Sequence, residues 1–184
     1  MTHRENSTPD FPTPCYDCEH GGLGFPCRSS EGYDPEKIAA AVLRLNADEQ
    51  ADGLGHEHPD WWTYECASFQ LPETAPLVAL DLAICVSKME APDSAIGLYA
   101  AGPLENLFKT AGAKVIDRAE ATALHSARFR YLLSGIWGKF DIDPTVWKRL
   151  QIAVRPGPWI DTDVRTPQGS AIQSGLYDLN GKTP

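Results

Sequence analysis

Three cysteines and a histidine near the start of the chain are the residues with the most evident chemistry. Cys15-Tyr16-Asp17-Cys18-Glu19-His20 is followed by Cys27. A C-x-x-C pair can place two thiolates on one tetrahedral zinc ion, and His20 and Cys27 can complete the set. The surrounding prolines and glycines supply the turns of a small metal knuckle, and a segment without a core gains its fold from the ion it binds. Against this stands the missing second ligand pair, and His20 lies only two residues beyond Cys18. Free thiols or an occasional disulfide are the alternative; the odd count of five cysteines favours free thiols or a metal over a disulfide framework. A redox role would need a helix N-terminus to lower the thiol pKa. Glu19-His20-Gly21-Gly22 is not a helix start, so that role is set aside.

The other chemical candidates are weaker. His56-Glu57-His58 puts its histidines at i and i+2 in a polar stretch, whereas a zincin needs them one helical turn apart. Asp117 and Glu120 are three apart on a helical stretch and share a face. With His125 they could form an acid–base site in a helical cleft, although Lys114 and Arg118 beside them fit an ordinary solvated face. There is no nucleophile elbow, no phosphate-cradling glycine loop and no dinucleotide fingerprint. The chain has five tryptophans, more often core than ligand-stacking groups at helical spacing. Those left on a surface would mark an interface. Trp61, Trp62 and Trp159 are the candidates for partner binding.

These groups must be positioned by helices. Asp34 with Pro35 is a capped helix start, and Ile38, Val42 and Leu45 form a stripe behind it. The polar stretch from Gln50 to His58 reads as a loop. A second helix is expected after His58-Pro59-Asp60, with Trp62, Cys66 and Phe69 on its buried face and Trp61 and Tyr64 off it. Pro72-Glu73-Thr74 is expected to break that helix and begin a third, apolar nearly all round and central. Asp93 can cap the next, with Gly102 as its stop and Pro103 as a restart. The restarted helix carries Leu104, Leu107 and Phe108 and is expected to stop at Gly112. Stripes follow at Val115, Ile116, Ala119 and Ala123, and at Phe129, Leu132, Leu133, Ile136 and Trp137. Asp143-Pro144 opens a last helix with Val146, Trp147, Leu150 and Val154, closed by Pro156-Gly157-Pro158.

The fold class is therefore all-α: an irregular helical bundle or a short α-solenoid of antiparallel helix pairs. Residues 1–33 form an irregular cysteine-containing segment, 34–155 the helical domain, and 156–184 an extended tail.

The composition bounds the function. A net charge of −9 argues against a nucleic-acid surface, which needs a clustered basic face. No apolar run approaches the length that spans a bilayer. The polar N-terminus has no apolar stretch of the kind a secretory signal carries, so a cytoplasmic protein is the expectation.

One block resembles a known family. It runs from Leu98 to Leu150 and is carried by Ala101-Gly102-Pro103-Leu104-Glu105-Asn106-Leu107, Gly112, Ile116-Asp117-Arg118 with Glu120, Arg128-Phe129-Arg130, Leu133, Gly135-Ile136-Trp137 and Val146-Trp147. It is similar to an uncharacterised bacterial domain-of-unknown-function family, more loosely back to Pro59. The resemblance implies a helical domain and supplies no activity or catalytic residues. The functional expectation is a non-enzymatic protein–protein interaction module, its partner another and basic protein. Its most specific form is an immunity-type inhibitor of a toxin. A zinc-binding protein with a structural site at Cys15, Cys18, His20 and Cys27 is one alternative, and an enzyme with an acidic helical cleft is the other.

Overall fold

The computed structural model describes residues 28–29, 32–48, 54–138 and 140–160. A minimal antiparallel hairpin pairs β1 (Arg28–Ser29) with β2 (Gly32–Tyr33), Arg28 opposite Tyr33. Among the described residues, every regular element after it is a helix. Helix α1 (Pro35–Ala47) begins as its sequence dictates: Asp34 Oδ1 accepts from the Glu36 and Lys37 backbone N–H groups. Ile38, Val42 and Leu45 are buried as one stripe. After a 3₁₀ turn at Gly55–Glu57, Arg44 grips both carboxylate oxygens of Asp60 at 2.9 Å. This ties the end of α1 to the start of the next helix.

That next helix departs from expectation. Helix α2 (Trp62–Glu65) passes without a break into a π-helical turn, Cys66–Gln70, and on into α3 (Leu71–Thr74). Pro72 does not break it. The break comes at Ala75 (φ −142°, ψ 60°), ahead of α4 (Pro76–Lys88). A proline has no N–H to give and its ring crowds the carbonyl four residues back. Widening the preceding turn relieves that conflict, and the Leu71 N–H reaches back to the Cys66 carbonyl. The extra residue rotates the face. Ala67, Ser68 and Leu71 turn inward, and Phe69, expected in the core, is half-exposed.

The same solution recurs. Helix α5 (Asp93–Tyr99) continues through a second π turn, Ala100–Leu104, into α6 (Glu105–His125). Gly102 and Pro103 are neither stop nor restart, because Pro103 sits inside this wide turn. Asp93 does not cap its helix; its carboxylate accepts from the Tyr131 hydroxyl at 2.9 Å. Nor does α6 stop at Gly112: it bends at Ala111 (φ −137°, ψ 23°) and runs on to His125.

Ser126 caps α7 (Ala127–Leu133), and Asp143 caps α8 (Pro144–Ala153) through the Thr145 and Val146 N–H groups. Trp137, placed by its spacing in the stripe that starts at Phe129, is exposed, because α7 ends before it.

The fold is all-α. Helix α4 packs against α1, α6 and α7, while α8 lies on α6 and α1 also packs on α5. In a solenoid each helix pair touches only its neighbours in sequence. Here one continuous core joins α1 to α8, which is an irregular bundle. No helix among the described residues is long and apolar enough to cross a membrane.

Candidate functional site

The two π turns pack against one another. Above them lies an open groove of about 720 Å³. The last turn of α1 (Val42, Leu45 to Asp48) forms one wall. Trp61, Thr63, Tyr64 and Ser68 form the second, and Pro92, Ser94, Leu98 and Ala101 to Pro103 the third. The π turns explain why these residues meet: they put Ser68 on the groove floor and carry the backbone of Ala101–Pro103 to its edge.

The lining is mainly apolar, with polar groups at set points. Trp61 stacks on Tyr64 with ring centroids 5.1 Å apart, and Phe69 meets Tyr64 edge-on at 5.6 Å. Tyr64 is 46 % exposed and Leu98 58 %. Asn46 donates to the Ala95 carbonyl, and the Thr63 hydroxyl to that of Asp60. Ser68 is 2 % exposed, and its hydroxyl has no hydrogen-bond partner among the described residues. A buried hydroxyl without a partner costs stability. At one end, His58 Nδ1 accepts the Asp60 N–H, which leaves the ring proton on Nε2, facing Asp48 Oδ2 at 3.4 Å. Among the described residues that line the groove there is no Lys, Arg or His.

Two other polar clusters hold helices together. Arg149 on α8 bonds Glu120 at 2.9 Å and Asp117 at 2.7 Å on α6. Those bonds raise the guanidinium pKa above its ordinary value, Glu120 contributing most. Asp117 and Glu120 do share a face, and there both accept from Arg149. His125 is exposed at the far end of the helix. Glu105, 8 % exposed, accepts the Trp137 backbone N–H at 2.8 Å and pairs with Lys109 at 2.7 Å. Lys109 also reaches Asp141, and hydrogen bonds to Glu105 first, then Asp141, raise its pKa.

Of the partner-binding candidates, Trp61 lines the groove, Trp62 belongs to the core, and Trp159 packs half-buried against the core. Cys15, Cys18, His20 and Cys27 lie outside the described residues. Among the described residues no group of three or more His, Cys, Asp or Glu side chains could hold a metal ion.

The model of a family of unknown function, DUF6869, matches residues 46–157, more than half of the chain. The chain belongs to DUF6869. The matched DUF6869 segment holds every groove-lining residue except Val42 and Leu45. It also contains the Arg149 and Glu105 clusters. Comparison with curated proteins and with solved structures yields no match.

Sequence reasoning did not find Ser68, Asp48 or Leu98. The available signal was Pro72 and Pro103 inside otherwise unbroken helical patterns, each of which can mark a π turn as well as a helix end.

Proposed function

We propose that this protein is a protein–protein interaction module that takes a segment of its partner into the groove above the two π turns. The observation that carries this reading is the open, largely apolar groove of about 720 Å³ walled by α1, α2 and α5. Tyr64 and Leu98 on the rim supply the exposed aromatic and aliphatic area from which interface hot spots are built. π turns are frequent at functional sites, because their extra residue is kept at a cost in helix geometry. The net charge of −9 supports a basic partner by steering it electrostatically. An immunity-type inhibitor of a basic toxin is the specific form of this reading.

Site-specific photo-crosslinking in the source cells tests it. A photoreactive side chain at Leu98 or Tyr64 is expected to capture a partner, and one at Leu124, exposed on α6 away from the groove, is not. Equal capture at all three positions, or none from the groove, overturns the proposal.

A further inference from the structure

We infer that a second, smaller cleft binds a free amino acid, with the ligand carboxylate on Arg128 and its ammonium on Glu90 and Asp93. This site lies apart from the groove and stands whether or not the groove takes a partner.

The cleft has a volume of about 190 Å³ and opens between α7 and the join from α4 to α5. Arg128 and Tyr131 are three residues apart on α7 and so share a face. Arg128 Nη1 donates to the Lys88 carbonyl at 3.1 Å, which fixes the guanidinium at the end of α4. That bond uses one of its five N–H groups. Nε and Nη2 have no acceptor among the described residues. On α5, Asp93 Oδ1 accepts from the Tyr131 hydroxyl at 2.9 Å, which holds the carboxylate in place. Its Oδ2 has no donor among the described residues. Glu90, exposed in the join, has no hydrogen bond or ion pair among them either.

Opposite charges thus line one cleft without closing on each other. Elsewhere in the fold Arg44 grips Asp60, Arg118 grips Asp81 and Arg149 grips Glu120. Among the described residues Arg128 pairs with neither Glu90 nor Asp93. A plain anion would be repelled by the two carboxylates, and a plain cation by the guanidinium. A zwitterion answers both. Its carboxylate fits the Nε–Nη2 edge of the guanidinium with two parallel bonds. Its ammonium has three N–H groups to give to Asp93 Oδ2, Glu90 and the Tyr131 oxygen.

Size and apolar lining narrow the ligand further. The cleft is smaller than the ~300–1,000 Å³ of pockets for drug-sized ligands. Met89, Ile96 and Leu132 supply the apolar part of its lining. The ligand is therefore an α-amino acid with an aliphatic side chain.

Thermal unfolding of the full-length chain, titrated with each free L-amino acid, provides the test. An aliphatic amino acid is expected to raise the melting temperature in step with its concentration. Its amide and its N-acetyl derivative, each lacking one charge, are expected to bind about tenfold more weakly. Arg128→Gln is expected to lose about fivefold in affinity for the free amino acid. Glu90→Gln, at an exposed position, is expected to lose about threefold and serves if Arg128→Gln does not fold. No stabilisation by any free amino acid would overturn the proposal. So would derivatives that bind as tightly as the free amino acid, or variants that bind it as tightly as wild type.

Discussion

Glu105 and Trp137 are joined across 32 residues by a bond from the Trp137 backbone N–H to Glu105 Oε2. The carboxylate sits at the start of α6, and the N–H belongs to the loop that follows α7. Lys109 closes the arrangement by bridging Glu105 to Asp141 in the same loop. A Cβ on Gly138 would fall 2.9 Å from Lys109 Cε and 3.0 Å from Glu105 Cδ. The loop backbone therefore lies directly on this ion pair, which holds the exposed Trp137 in place.

Removing that carboxylate strands two groups at once. Glu105→Ala is expected to cost about 2–4 kcal/mol, because a backbone N–H and a half-buried ammonium lose their partner. Glu105→Gln, which keeps an acceptor for Trp137, should cost about half as much. Urea unfolding of the three proteins measures the order. A Gln variant as unstable as the Ala variant would show that the charge matters and the bond to Trp137 does not.

The contact of α6 with α8 depends on Gly112 having no side chain. A Cβ there would lie 2.9 Å from Val146 Cγ1, on a β-branched side chain that cannot swing away. Gly112→Ala is expected to destabilise by about 1–2 kcal/mol, since overpacking outweighs the helix-propensity gain of about 1 kcal/mol. Adding Val146→Ala should cost less than it does in the wild type. A double-mutant cycle in thermal unfolding checks this, and strict additivity would contradict it.

Ser68→Ala is expected to raise stability by about 1 kcal/mol, because it removes a buried hydroxyl that has no partner. Thermal unfolding of the variant beside wild type measures the difference. A fall in the melting temperature would show that the hydroxyl is satisfied inside the free protein.

Stability should fall in alkali through two tyrosines. Burial pushes the Tyr99 phenol far above its ordinary range, and burial followed by the hydrogen bond to Asp93 does so for Tyr131. In the unfolded chain both titrate near about pH 10. The folded state keeps protons that the unfolded state loses, so this stability is full below that pH. Above it, each tyrosine takes away about 1.4 kcal/mol per pH unit. Tyr99→Phe with Tyr131→Phe should flatten the decline in chemical unfolding free energy between pH 9 and pH 11. A residual slope is expected, because Lys109 and Cys85 are also raised. An unchanged slope in the double variant would refute the assignment.

The Arg149 clamp should be coupled but weak. Arg149→Ala and Glu120→Ala are expected to show a favourable interaction in a double-mutant cycle, smaller than that between Glu105 and Lys109. It should shrink as salt rises, because Arg149 is open to solvent. Asp117→Ala should matter less still, its side chain being 87 % exposed.

Much of the architecture is local and therefore legible in the sequence. Asp34 and Asp143 cap helices because an aspartate before a proline satisfies orphan N–H groups wherever the pattern occurs. Ile38, Val42 and Leu45, and Val115, Ile116, Ala119 and Ala123, are buried because helical periodicity alone gathers them on one face. Family membership was legible in the ordered string from Ala101 to Trp147.

The groove was not legible, and the reason is physical. A proline inside a helical pattern creates a steric conflict that either a break or a widened turn can relieve. Local sequence leaves the two nearly equal. The packing of the two π turns against each other decides between them at Pro72 and Pro103. That decision turned Phe69 outward and Ser68 inward, and it brought α1, α2 and α5 together around one groove. The sequence by itself determined which helices form and which faces they bury. Only the tertiary structure decided where helices widen instead of ending, and with that, where the groove opens.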